Sequence, residues 1–136
     1  MNIHTIANYL NQSHNSNEDV MFDCIPISGE IDVLQITIIG RDELPIFVSV
    51  ADNQILCITY LWDSDSIVEG KKEEMMECML EMNIPMPLSS FSKIGKKYVV
   101  FGALSIHSSL EDIEHELGVL NNNTIDVIDS MQEYFL

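Results

Sequence analysis

The chain has 136 residues, with 22 acidic against 6 basic side chains for a net charge of −16, and an apolar fraction of 46%. That length fits one domain, 1–136, able to bury roughly two-thirds of its unfolded surface without a metal or disulfide staple, and the apolar fraction excludes intrinsic disorder, which needs low hydrophobicity together with high charge. The charge repels phosphate backbones and anionic headgroups alike, which argues against nucleic-acid and membrane-surface binding; it reads plainly as solubility and self-repulsion, or more sharply as a surface that meets a basic partner protein.

The opening residues, MNIHTIANYL, lack the basic start and apolar run of an export signal. No stretch reaches the roughly 18 uninterrupted apolar residues of a spanning helix, so a cytoplasmic protein without membrane insertion is expected. Ile6, Ala7, Tyr9 and Leu10 recur at helical spacing over 5–12, and the polar run SHNSNED predicts a loop. From residue 20 the period becomes that of strands, expected at 20–27, 31–39, 44–50 and 55–62. They are separated by Ser28-Gly29-Glu30, Gly40-Arg41-Asp42-Glu43 and Ala51-Asp52-Asn53-Gln54, which predicts a four-strand antiparallel meander. In the fourth strand Leu56, Ile58, Tyr60 and Trp62 alternate with Ile55, Cys57 and Leu61, broken only by Thr59. A strand apolar on both sides needs two covers. One is the chain's own helices; the other is a loop, the first helix or a second copy.

Residues 69–88, EGKKEEMMECMLEMNIPMPL, contain the most strongly helical stretch between the two β blocks. Met75, Met76, Cys78, Met79, Leu80 and Met82 gather on one wide face, and Glu73, Glu74, Glu77 and Glu81 on the other. Ser66 with Glu69 is expected to cap this helix, and Asn83 with Pro85 and Pro87 to stop it. Strands at 89–94 and 97–105 then form a hairpin through Gly95-Lys96, with glycine at the first position of a type II′ turn. Gly102, inside an apolar strand, marks a bulge or the close approach of another backbone. Finally Ser108-x-x-Glu111 reads as a capping box. From there Leu110, Ile113, Leu117, Leu120, Thr124, Val127, Met131 and Tyr134 follow at steps of three and four straight through Asn121-Asn122-Asn123. One long helix is predicted, lying across the sheet. The order α-β-β-β-β-α-β-β-α implies a two-layer α+β domain, a mostly antiparallel sheet with helices mainly on one face.

No residue set spells out a reaction. Asp63, Asp65 and Glu74 share spacings with a calcium loop, but Val68 stands where its sharp turn needs glycine. His107, Glu111 and His115 lack a third ligand spacing, and nucleophile-elbow and phosphate-loop motifs are absent. Cys24, Cys57 and Cys78 sit singly among apolar neighbours as small hydrophobes. The chain is therefore expected to have no catalytic, cofactor or metal residues and not to be an enzyme. The flexible, polarizable methionines Met75, Met76, Met79 and Met82, with the strand aromatics Trp62 and Tyr60, are the candidate protein-interaction residues, against the plainer reading that the methionines pack on the sheet. The competing expectation is a pocket between the Met-rich helix and the sheet for a small molecule or a reaction.

The strings LPIFVSVADNQILCITYLW, MLEMNIPMPLSSFSKIGKKYVVFGALS and SLEDIEHELGVLNNNTIDVIDSMQEYF resemble the YjfI family, domain of unknown function 2170, over about 32–136. The resemblance supplies no catalytic residue. Through gene neighbourhood it implies a partner of the phage-shock-protein-A type, a membrane-remodelling coiled coil. The element order is also similar to that of type III secretion chaperones and YbjN-like proteins, which are small, acidic, dimeric and protein-binding, although the four-strand block departs from the usual three. A chaperone- or adaptor-like homodimer that meets a basic partner is the resulting expectation.

Overall fold

A computed structural model describes residues 1–12 and 21–136, with the backbone alone for 41–43; the loop expected at 13–19 lies outside the described residues. The elements are α1 (Ile3–Gln12), β1 (Phe22–Ile27), β2 (Val33–Ile38), β3 (Arg41–Val50), β4 (Ile55–Asp63), α2 (Lys72–Met82), β5 (Ser90–Ile94), β6 (Lys97–Leu104) and α3 (Leu110–Ser130). Short 3-10 turns lie at Ser64–Ser66 and Gln132–Tyr134. The six strands form one antiparallel sheet in the order β1-β2-β3-β4-β6-β5, so β1 and β5 are its edges. The expected α+β class and element order are those observed.

Side-chain chemistry explains where the elements start and turn. α1 begins two residues before the expected start because the Thr5 N–H donates to Asn2 Oδ1 at 2.9 Å, satisfying a free donor of the first turn. The turn after β2 is tighter than the four residues expected: Ile38 pairs with Arg41, and Gly40 takes φ +90°. Gly95, at φ +58°, makes the β5–β6 turn as predicted.

The expected capping of α2 is not found. Ser66 lies in a 3-10 turn, Gly70 redirects the chain at φ +83°, and Lys71 precedes the helix without a side-chain cap. In α3 the cap falls one residue later than predicted, with Ser109 Oγ accepting from the Asp112 N–H at 3.1 Å. The asparagine run leaves α3 unbroken. Asn123 turns its amide outward to donate to the Pro87 carbonyl at 2.8 Å and to Ser89 Oγ at 2.9 Å, tying the helix to the turn that follows α2.

All three helices cover the same sheet face. Buried residues of α1 and the first half of α3 pack on Leu34, Ile36, Val48, Cys57 and Val100. Met75 and Met79 of α2, with Val127 and Met131 from the far end of α3, pack on Trp62 and Tyr98. The segment after α3 closes this second cluster: Ile67 bridges to Phe135, whose ring lies 4.6 Å from that of Trp62. The α3 seam thus lies on the sheet, with Ile113, Leu117, Leu120, Thr124, Val127 and Met131 all buried.

Candidate functional site

The Met-rich helix sends its methionines to different places. Met75 is 0% exposed and Met79 is buried with it against Trp62, Tyr98 and Met131, so these two are core. Met82 is half-buried beside Cys78, whose thiol points at Met82 Sδ and Met131 Sδ from 3.9 and 4.0 Å. Met76 alone of the four faces outward. Because methionine bends to fill irregular gaps, Met75 and Met79 pack beneath α2, the region where the competing expectation placed a ligand pocket.

Trp62 and Tyr60 also part company. Strict alternation would put them on one side of β4, but a bulge between them shifts the register, so Tyr60 pairs with Val99 and Trp62 with Tyr98. Trp62 is therefore turned under the helices and buried, while Tyr60 stays on the opposite face.

That opposite face carries a second apolar surface. Register places Val33, Phe47, Leu56, Ile58, Tyr60 and Phe101 together on it, half-buried by their neighbours, and none of the three helices crosses it. The Phe47 and Tyr60 rings meet edge to face at 5.7 Å. Lys97 and Asp63 sit at one end of this surface, paired at 2.7 Å, and Asp23 lies exposed on the same face at the β1 edge. Two of the three acids that share spacings with a calcium loop have basic neighbours, Asp63 with Lys97 and Asp65 with Lys96 at 4.0 Å.

Residues 1–135 match the sequence profile of DUF2170, described as an uncharacterized protein conserved in bacteria. The chain belongs to that family. The match takes in the first thirty residues, which the resemblance read from the sequence did not include. Uncharacterized protein YjfI of Escherichia coli, in strains K12 and O157:H7, is 32% identical over 114 residues, spanning 81% of this chain and 84% of its own. In fold, the chain is similar to the crystal structure of YbjN from E. coli, with a TM-score of 0.66 at 11% identity over 100% of this chain and 96% of that one. A chain of the ExsC–ExsE complex aligns with a TM-score of 0.50 at 11% identity, covering 90% and 87%. The expected likeness to YbjN-like proteins is thus one of fold.

Within this DUF2170 member the most unusual buried group is Glu116 of α3. It is 4% exposed, and its Oε1 has no hydrogen-bond partner among the described residues. Glu116 lies over Gly102 of β6, where a Cβ would overlap Glu116 Oε1 and stand 3.3 Å from the Leu88 carbonyl. Gly102 therefore marks close approach, as expected, but chiefly of a side chain. The bulge is in β4 instead. Burial pushes the Glu116 carboxyl above its ordinary range, which the His115 charge partly offsets. Burial, with Glu116 nearby, also drives the Cys57 thiol up to about 12, and burial with Asp23 nearby takes Cys24 to about 11. Thiols so raised stay protonated at neutral pH and are poor nucleophiles. Among the described residues no three His, Cys, Asp or Glu side chains converge to hold a metal ion, and no helix is long and apolar enough to cross a membrane.

Proposed function

We propose that this protein is a protein-interaction module of the chaperone or adaptor kind, which acts by binding rather than by catalysis. In this reading it works in the cytoplasm as a homodimer and takes a protein partner with a basic surface. The observation that carries the reading is the open sheet face: an apolar, centrally uncharged surface on the side away from all three helices. Six strands about 4.8 Å apart and some 7 residues long give a face on the order of 500 Å² in plan, and more in contoured accessible surface. A standard interface takes about 800 Å² from each partner, so this face would supply much of the area that a stable contact needs. A second copy suits it because the centres of two such faces meet without placing acid against acid, although the chain as a whole carries −16. The fold likeness to a chain captured in a protein–protein complex supports the same class of activity. The family resemblance further suggests a phage-shock-protein-A-type homologue as the basic partner.

Light scattering on the purified chain at micromolar concentration is expected to give twice 15.4 kDa. Ile58→Asp, placing a charge in the middle of the face, is expected to give a folded monomer. A wild-type protein that stays monomeric would sink the homodimer, and an Ile58→Asp protein that stays dimeric would move the interface elsewhere. Binding of the basic partner is expected to weaken as salt rises.

A further inference from the structure

α2 has a second surface that the packing leaves bare. Met75 and Met79 point into the core, and one residue further along, about 100° around the helix, Met76 and Leu80 point away from it. Met76 is 38% exposed, Leu80 66%, and Ile84, in the turn that continues the helix, 91%. The three lie four apart and so form one continuous apolar ridge. Single exposed apolar residues are ordinary, but a row at i, i+4 and i+8 is the spacing with which one helix meets another. Glu73, Glu77 and Glu81, also four apart and all exposed, run directly beside it.

We propose that this ridge docks an amphipathic helix of a partner protein, one whose apolar seam is flanked by lysine or arginine. The inference rests on the reading of the chain as a protein-binding module and names the surface and the chemistry of its partner. An apolar row with an acidic row alongside calls for an apolar row with a basic row alongside. Charge rejects the other occupants. A second copy packed antiparallel about Glu77 sets Glu77 against itself and Glu73 against Glu81. An anionic membrane surface meets the same three carboxylates and is repelled.

The test uses the full chain and three synthetic helical peptides: a leucine seam flanked by lysines, the same seam flanked by glutamates, and a scrambled version of the lysine peptide. Fluorescence anisotropy should show binding of the first alone, weakening with salt. Leu80→Ser/Ile84→Ser, both exposed, should weaken it at least about tenfold with circular dichroism and mass in solution unchanged. Glu73→Gln/Glu77→Gln/Glu81→Gln should weaken it about tenfold and flatten its salt dependence. The proposal is overturned if the lysine peptide does not bind, if the scrambled or glutamate peptide binds as well, or if the serine variant binds like wild type. It is also overturned if the serine variant loses the dimer, since the ridge would then be a contact between copies, or if phosphatidylglycerol vesicles bind the chain through these residues. Ile58→Asp separates the two readings. A dimer that ignores the peptide sinks the ridge alone, and a monomeric wild type that binds the peptide sinks the open-face dimer alone.

Discussion

The contact between Glu116 and Gly102 has consequences that can be measured at the level of single side chains. Glycine suits 102 because a Cβ there would overlap the buried Glu116 carboxyl, which must swing aside, and would stand 3.3 Å from the Leu88 backbone carbonyl. Gly102→Ala is expected to cost about 1–3 kcal/mol as overpacking. In the Glu116→Ala background much of that cost should vanish, so a double-mutant cycle by urea unfolding should return a coupling of about 1 kcal/mol or more. The same carboxyl makes stability depend on pH. Burial favours its neutral form, so the fold holds the Glu116 proton more tightly than the unfolded chain does. The stability contributed is fully present below the ordinary glutamate pKa of about 4.3 and is lost as pH rises through the raised folded value. Melting temperatures of wild type and Glu116→Gln are expected to diverge as pH rises from about 4 to neutrality, with the glutamine variant relatively more stable by a few degrees at the upper end. Parallel curves would show that Glu116 carries the same charge in both states.

Among the elements, α3 is the most legible, because six seam positions from Leu110 to Val127 repeat their signal along one helix; Met131 and Tyr134, expected on the same helix, fall in the cap and 3-10 turn beyond it. The start of α3 is harder. The capping box expected at Ser108-x-x-Glu111 falls one residue early. The phase that buries Ile113 and Leu117 selects Ser109. Ser109→Ala is expected to cost about 1 kcal/mol and Ser108→Ala a few tenths at most, as thermal melts would show. β4 teaches the converse. Its strict alternation set Trp62 and Tyr60 on one face, and one inserted residue at the bulge separated them. A bulge is placed by the need to turn Trp62 under α2, a contact distant in sequence. The edge of β5 is another tertiary result: the Phe91 N–H, directed away from β6, is taken by Asn83 Oδ1 at 2.8 Å, so the residue that ends α2 also blunts a strand edge.

Among the described residues, three helices on one side of a six-stranded sheet leave the other side open. Charge and greasiness are kept apart: the open face is uncharged at its centre, whereas the acids crowd helix surfaces and turns. Association through the open face should therefore respond to salt in the opposite sense to capture of a basic partner. Raising salt screens the repulsion between two −16 copies and is expected to tighten the dimer, while it loosens the basic partner. Sedimentation equilibrium at low and high salt checks this. A dimer that dissociates in salt would be held by ion pairs instead.

Residue order alone carries the acidic α+β character, the order of elements, the β5–β6 turn, the continuity of α3 through its asparagines and the family. Each of these is written in short-range periodicity, composition or contiguous strings. Only the tertiary structure decided that Met75, Met79 and Trp62 are core, that Gly102 accommodates a carboxyl, that β1 and β5 are the edges, and which apolar rows remain outside. Those outcomes depend on the register of β4 and on which helix lies over which strands. Period alone shows that a residue has a preferred side, but only the partners brought from distant positions show whether that side is covered.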